Sequence, residues 1–274
     1  MTGTGGTARS ITPAEISGGV ALAAAFALFL TRPEMAALPL VAFVVVCLAA
    51  PFFPTCGFFL KVYSRGRTGR SVVALTFDDG PDPETTPLLL DLLRRHGVRA
   101  TFFVTGEQAT RHGDLIAAIL AEGHEIGNHS FHHDVFLMCR TSARLDREVA
   151  RTQDALRPFG VVPLIFRPPV GITNPKLGSV LARHGLSCVT FSCRAYDGGN
   201  RFVRGMSRRI LRKIRGDDIL VLHDVAPKGK ATAAIWRGEV AQILAGIAEK
   251  GLTIIPLGEL LAGTVMAAAK EDGQ

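Results

Sequence analysis

Paired cysteines are missing from this chain. Of 274 residues only five are cysteine (Cys47, Cys56, Cys139, Cys188 and Cys193), an odd number without one Cys-x-x-Cys pair. This excludes a disulfide framework and a cysteine-based zinc site. Charge is also sparse: 20% of residues are charged against 47% hydrophobic, with a mean hydropathy of +0.26. A disordered chain is excluded by that much apolar material, and a fully soluble secreted domain fits it poorly. There is no internal repeat or low-complexity segment, and no basic stretch carries interleaved aromatics or a recognition motif, so nucleic acid is not an expected partner. The length suits one large domain plus an appendage, enough to bury a core without staples.

The apolar excess sits at the front. Residues 16–30 and 36–60 carry no charge and are separated only by Thr31-Arg32-Pro33-Glu34-Met35. A span needs about 20 apolar residues to cross roughly 30 Å of hydrocarbon. The second run meets that length, and the first does so if extended at its ends. Residues 1–60 therefore read as a short tail and a membrane-anchoring helical hairpin with Pro33 at its tip. A cleaved signal peptide is the competing reading of the first run, although its leading region holds a single Arg9 and no lysine. Lys61, Arg65, Arg67 and Arg70 follow without an intervening acid. Residues 61–70 read as a basic linker, and the positive-inside rule puts everything after them in the cytoplasm of a bacterial-type inner membrane, with the periplasmic side as the alternative.

Residues 1–60 contain two arginines and two glutamates, so the net charge of +7 belongs to the remainder. Residues 201–215 hold seven basic and no acidic residues, with Val203, Met206, Ile210 and Ile214 at helical spacing. The pattern predicts an amphipathic basic helix, either the solvated side of a packed element or a surface for anionic lipid.

Beyond residue 70 the chain alternates. Strand-like runs at 72–77, 101–104, 124–129, 164–167, 187–192, 218–223 and 253–256 are separated by helical patterns at 85–96, 108–121, 142–157, 174–184, 201–215 and 232–250. Such alternation predicts an α/β fold with about seven parallel strands, better suited to barrel-like closure than to a small open sheet. The catalytic domain is placed at 71–265, leaving 266–274 as a C-terminal tail.

The chemistry-bearing residues lie where these strands end, the end at which the loops of a parallel barrel converge on a site. The first run delivers Asp78-Asp79-Gly80, the third His129-Ser130-Phe131-His132-His133, the fourth Arg167-Pro168-Pro169-Val170-Gly171, and the sixth His223-Asp224. Singly, each is ambiguous: paired aspartates before Gly-Pro suit a turn, and a histidine-rich stretch is often surface. Together, two histidines spaced i, i+4 and one of the aspartates make a three-ligand set that leaves positions open for water and substrate, the pattern of a catalytic metal. The other aspartate is then free to act as base, and a histidine from a different strand end as acid.

The order TFDDG (76–80), HSFHH (129–133), FRPPVG (166–171) and LVLHD (220–224) resembles the polysaccharide deacetylases, carbohydrate esterase family four, over about residues 71–260. The resemblance implies a distorted (β/α) barrel, one divalent cation (usually zinc, sometimes cobalt or manganese), and hydrolysis of N-acetyl groups on amino sugars. It assigns Asp79, His129 and His133 to the metal, Asp78 to the general base, His223 to the general acid and Arg167 to orienting the base. It assigns the backbone N–H of Val170 to the oxyanion; tyrosine is commoner there, but the side chain does not donate.

One block departs from the family. Where an acid-rich motif ending in tryptophan is usual, this chain reads Phe191-Ser192-Cys193-Arg194-Ala195-Tyr196-Asp197-Gly198. Arg194 replaces the first acid and Asp197 matches the second, so tuning of the base through Arg167 is expected to run through Asp197 or to be rebuilt around Arg194. His132 becomes a ligand only on a one-residue shift. His96, His112, His124 and His184 read as structural, Asp224 as a structural partner, and Cys193 as no nucleophile. The expected activity is deacylation of an amino sugar in a glycan or a lipid-linked carbohydrate at the membrane. The alternatives are an O-acetyl esterase on the same scaffold or a degenerate glycan-binding domain.

Overall fold

In a computed structural model, residues 11–53, 55–228 and 232–269 are described. Helix α1 (Pro13–Thr31) starts on a capping box: Thr12 accepts the Glu15 N–H, Glu15 returns to the Thr12 N–H, and Pro13 takes the first turn. Arg32 alone separates α1 from a 3₁₀ turn (Pro33–Met35); two turn residues and α2 (Leu38–Ala49) come next, the second apolar stretch running from Pro33 to Phe52. At 1.5 Å per residue each arm is about 30 Å long. The arms pack on each other, with Phe43 against Gly18. Their outer faces leave Val20, Phe26, Leu30 and Leu48 about two-thirds exposed, an arrangement that water alone does not favour.

The second apolar run does not stay in the hairpin to residue 60. Phe58 and Leu60 are buried, and Leu60 packs with Leu181 and Cys188 in the α/β body that follows. The expected linker is likewise part of the fold. Strand β1 (Val62–Tyr63) pairs with a strand of the main sheet, Arg65 is salt-bridged to Asp218, and the Asp217 carboxylate accepts the N–H groups of Thr68 and Gly69.

The main sheet continues with β2 (Val72–Asp78), buried along its whole length; α3 (Thr86–Arg95); β3 (Thr101–Val104); α4 (Gly106–Arg111); α5 (Gly113–Ala121); and β4 (Glu125–Asn128). The single helix expected over 108–121 is interrupted at His112, whose backbone leaves the helical region. Next come α6 (Ser142–Leu156), capped by Thr141; β5 (Val161–Pro163); β6 (Ile165–Phe166); α7 (Pro175–Arg183), capped by Asn174; β7 (Ser187–Val189); and β8 (Cys193–Arg194). The chain ends with α8 (Met206–Leu211), β9 (Ile219–His223), α9 (Ala233–Glu249), β10 (Thr253–Ile254), α10 (Leu257–Leu261) and β11 (Met266–Ala268).

Nine strands pair in parallel in the order β1-β7-β6-β4-β3-β2-β9-β8, with β10 alongside β2. One segment bends this sheet around. Its first part, β7, pairs with β6, and three residues later its second part, β8, pairs with β9. The path from β2 through β3, β4 and β6 therefore returns to β9 and β2 as a distorted barrel. Side chains such as Phe103, Val189 and Val221 fill the interior, while Trp236, Leu89 and Ile116 pack under the helices.

Two further expectations change. The basic helix is only Met206–Leu211, because Gly205 takes a left-handed φ of 73° and the Glu239 carboxylate binds the N–H groups of Gly205 and Ser207. Val203, Met206, Ile210 and Ile214 are nevertheless buried, as their spacing implied. Part of the expected tail is structured: β11 pairs antiparallel with β5, and residues 270–274 lie outside the described residues.

The two ends of the barrel differ. The hairpin root, Ile11–Pro13, shares a cavity with Arg65–Thr68 and Leu260–Ala262 beside the N-terminal ends of β2 and β9. The candidate functional residues lie at the C-terminal ends, one β2 length or about 20 Å away.

Candidate active site

Register sets the site. Asp78 ends β2 directly opposite His223 on β9 and Phe103 on β3, so a carboxylate and an imidazole from distant sequence meet at one level. His129 follows β4, its N–H bonded to the Val104 carbonyl, and Arg167 follows β6, its N–H bonded to the Asn128 carbonyl. Asp79, His133, Val170 and Tyr196 all line the cleft with positive φ. A β-branched valine is rarely found there, and such strain concentrates at functional sites.

Asp79, His129 and His133 come together as expected. Asp79 Oδ1 is 3.3 Å from His129 Nε2 and 3.1 Å from His133 Nε2. His129 Nδ1–H donates to the Arg167 carbonyl at 2.7 Å, which turns the Nε2 lone pair toward Asp79. Asp79 Oδ1 is itself buried without a hydrogen-bond donor. Ligands held at about 2.0–2.1 Å in a tetrahedron lie about 3.3 Å apart, so the three atoms have the spacing of a divalent cation's ligands. Burial raises the Asp79 carboxyl, but the facing His129 and His133 outweigh it and hold it ionised, the state a ligand requires.

Asp78 is buried, with Oδ1 accepting from Arg167 at 2.6 Å and Oδ2 3.9 Å from His129. Arg167 is wholly buried. It also donates to the Thr76 hydroxyl and the Thr190 carbonyl and lies 3.9 Å above the Phe103 ring. Its contacts do not include Asp197, contrary to expectation. Asp197 Oδ2 instead accepts from His223 Nδ1 at 2.8 Å. Burial disfavours the charged His223 ring, but the Asp197 bond and charge prevail and raise its pKa to about 9. The ring is thus held protonated, with its other N–H free for the cleft.

Arg194 has not rebuilt the link to Arg167. It is exposed, with its guanidinium 4.2 Å above Tyr196 and 5.7 Å from the Phe191 ring. His132 is not a ligand: its Nδ1 donates to Glu148 at 2.8 Å. Cys193 is buried with a pKa of about 12, inert as a nucleophile. Asp224 is structural: Thr85 and Thr86 donate to it, and it lies so near Gly80 that a Cβ there would come within 2.4 Å.

Two positioning residues escaped the sequence. Glu148, buried on α6, accepts the N–H groups of Phe131 and His132 and so holds the loop between His129 and His133; a lone glutamate in an amphipathic helix gives no signal of this. Asn200 donates to the carbonyls of His223 and Val225 and fixes the loop carrying Asp197 to β9. The Gly198-Gly199-Asn200 string has the composition of a turn, a signal that says nothing of these contacts.

The comparisons agree with this geometry. The family model described as polysaccharide deacetylase matches residues 65–189. A peptidoglycan-N-acetylglucosamine deacetylase of Bacillus cereus is 32% identical over 192 residues, covering 69% of this chain and 88% of that protein. A chitooligosaccharide deacetylase of Bradyrhizobium sp. is 34% identical over 202 residues, covering 70% and 92%. The solved family 4 carbohydrate esterase from Streptomyces lividans, in complex with acetate, superposes with a TM-score of 0.59 at 33% identity, covering 67% of this chain and 91% of that one. The barrel, the motifs at its strand ends and these likenesses place the chain in the polysaccharide deacetylase family, carbohydrate esterase family four, whose members are metal-dependent carbohydrate deacetylases.

Proposed function

We propose that this protein hydrolyses the N-acetyl group of an amino sugar within a glycan, using one divalent cation, zinc by preference, held by Asp79, His129 and His133. The convergence of these three ligand atoms beside Asp78 and His223 carries the reading. Bound there, the cation lowers the pKa of water and polarises the acyl carbonyl. Asp78, oriented by Arg167, accepts the proton of the attacking water. The Val170 N–H donates to the oxyanion that develops on the carbonyl, a contribution worth about 3–4 kcal/mol in other enzymes. His223 protonates the departing amine, too basic to leave otherwise, and Asp197 keeps that proton in place.

The apolar hairpin supports anchoring in a bilayer with both chain ends on one side, and the basic run at 61–70 favours the cytoplasmic side. A compartment-sensitive reporter fused after Gln274 tests the side. Because the hairpin root and the cleft lie at opposite ends of the barrel, the cleft suits a glycan in the aqueous phase better than one embedded at the bilayer surface.

The decisive assay is acetate release from N-acetylated and O-acetylated oligosaccharides by the zinc-loaded full chain. N-acetyl hydrolysis that falls about 10²–10⁴-fold in Asp78→Asn supports the proposal. Release confined to O-acetyl substrates would identify an esterase, and no release from either would leave a glycan-binding domain.

A further inference from the structure

The cleft of about 580 Å³ in front of the metal site is lined by three cations, Arg194, Arg201 and Lys228, all exposed. None has a carboxylate partner among the described residues. The cleft's own acids are already engaged: Asp78 with Arg167, Asp197 with His223, and Asp79 with the two metal-site histidines. Each acid is matched, so a cleft holding its cation carries a surplus of positive charge.

These cations stand on a fixed frame. The Lys228 N–H donates to the Asn200 carbonyl, and Asn200 is tied to β9. Phe202 N–H closes back on the Asp197 carbonyl. Arg209 donates to the carbonyls of Ala195, Arg204 and Phe202, stapling the loop from beneath. Arg194 is held over the exposed Tyr196 ring, against which Lys213 also lies, at 4.9 Å. A solvated side chain needs no such support. Arg194, placed over the ring before a ligand arrives, loses little freedom on binding, while backbone bonds set where Arg201 and Lys228 leave the loop; a guanidinium pairs with a planar carboxylate or a phosphate through two parallel bonds.

We propose that Arg194, Arg201 and Lys228 form an anion subsite that selects an N-acetylated glycan bearing negative charge beside the reacting sugar, as a carboxylate on the neighbouring unit or a phosphate on the sugar itself. This rests on the deacetylase reading of the same cleft and names its substrate class. Arg194, which occupies the position of a family acid, is the residue that turns the preference from neutral to anionic.

The test compares three substrates with the zinc-loaded full chain: a neutral N-acetylchitooligosaccharide, a uronate-containing N-acetylated oligosaccharide and a diphosphate-linked N-acetylglucosamine. A higher kcat/KM for either anionic substrate is expected, expressed in KM and weakened by salt. The arm that wins identifies carboxylate or phosphate as the source. Replacing each cation by glutamine should reduce the anionic-to-neutral ratio about fivefold, and the triple variant more steeply. Equal loss on all substrates would mean a structural role and overturn the subsite, as would a wild-type ratio near one. Equilibrium binding to Asp78→Asn separates this from failure of the catalytic reading: anionic oligosaccharides that bind no better than neutral ones refute the subsite whether or not turnover occurs.

Discussion

The two ends of the barrel follow opposite rules. At the N-terminal end the buried and half-buried carboxylates are consumed by structure. Asp217 binds the N–H groups of Thr68 and Gly69, Asp218 binds Arg65, Ser192 and the Arg215 N–H, and Glu125 binds the N–H groups of Leu257 and Gly258. These carboxylates tie residues 65–69, β9 and α10 to the sheet. At the C-terminal end the groups are held but not satisfied: Asp79 Oδ1 lacks a donor, four non-glycine residues lining the cleft hold positive φ, and three cations lack acids among the described residues. One end spends its polar groups on stability, and the other keeps them for a ligand, the division expected of parallel barrels.

The largest contrast is between Asp218 and His129. Asp218 is 2% exposed, and Asp218→Ala leaves Arg65 and the Arg215 N–H without their acceptor. We expect a loss of about 3–5 kcal/mol in denaturant unfolding, with kcat per folded molecule unchanged. His129→Ala should do the reverse, abolishing zinc content and acetate release while moving the stability of the metal-free chain far less. Equal damage to both properties in both variants would erase the division.

The same asymmetry explains what the sequence disclosed. TFDDG, HSFHH, FRPPVG and LVLHD were legible because a parallel strand ends where chemistry begins, so the motifs mark both the strand and the site. The closure of the sheet was hidden, since β7 and β8 are three and two residues long and a run that short has no readable period. The apolar run of 36–60 concealed the point at which Phe58 and Leu60 leave the hairpin for the barrel, because lipid and a protein core select the same side chains. The partner of Asp197 was hidden as well. Sequence order cannot say whether a loop carboxylate turns to Arg167 or to His223, and hydrogen bonds from Asn200 decide it.

An intermediate effect is expected at that pair. In the metal-free protein the His223 ring should titrate near 9, above its ordinary value, so its proton is held below that pH and lost as pH rises through it. Its contribution to stability has the same sign: complete below the unfolded value of 6.5 and lost toward 9. In Asp197→Asn the hydrogen bond loses its charge while burial continues to oppose protonation. The pKa of the ring should then fall, although Asp79 and Asp78 still favour its proton, and the alkaline limb of kcat should move down with it. Histidine NMR and a pH–rate profile measure the two shifts, and a limb that stays in place would remove His223 from the role of acid.

Val170 should give the smallest effect. Its side chain is 48% exposed at the cleft while its backbone holds φ 53°, so the position offers an N–H more than a packing group. Val170→Tyr, the commoner residue in the family, keeps that N–H and removes the β-branch from a left-handed backbone. kcat should therefore change less than about threefold and stability less than about 1 kcal/mol, with a gain more natural than a loss. Val170→Pro removes the donor itself and cannot adopt the required φ. If the tyrosine and proline variants lost kcat alike, the side chain and not the backbone would be the working part, and the oxyanion donor would have to be sought elsewhere in the cleft.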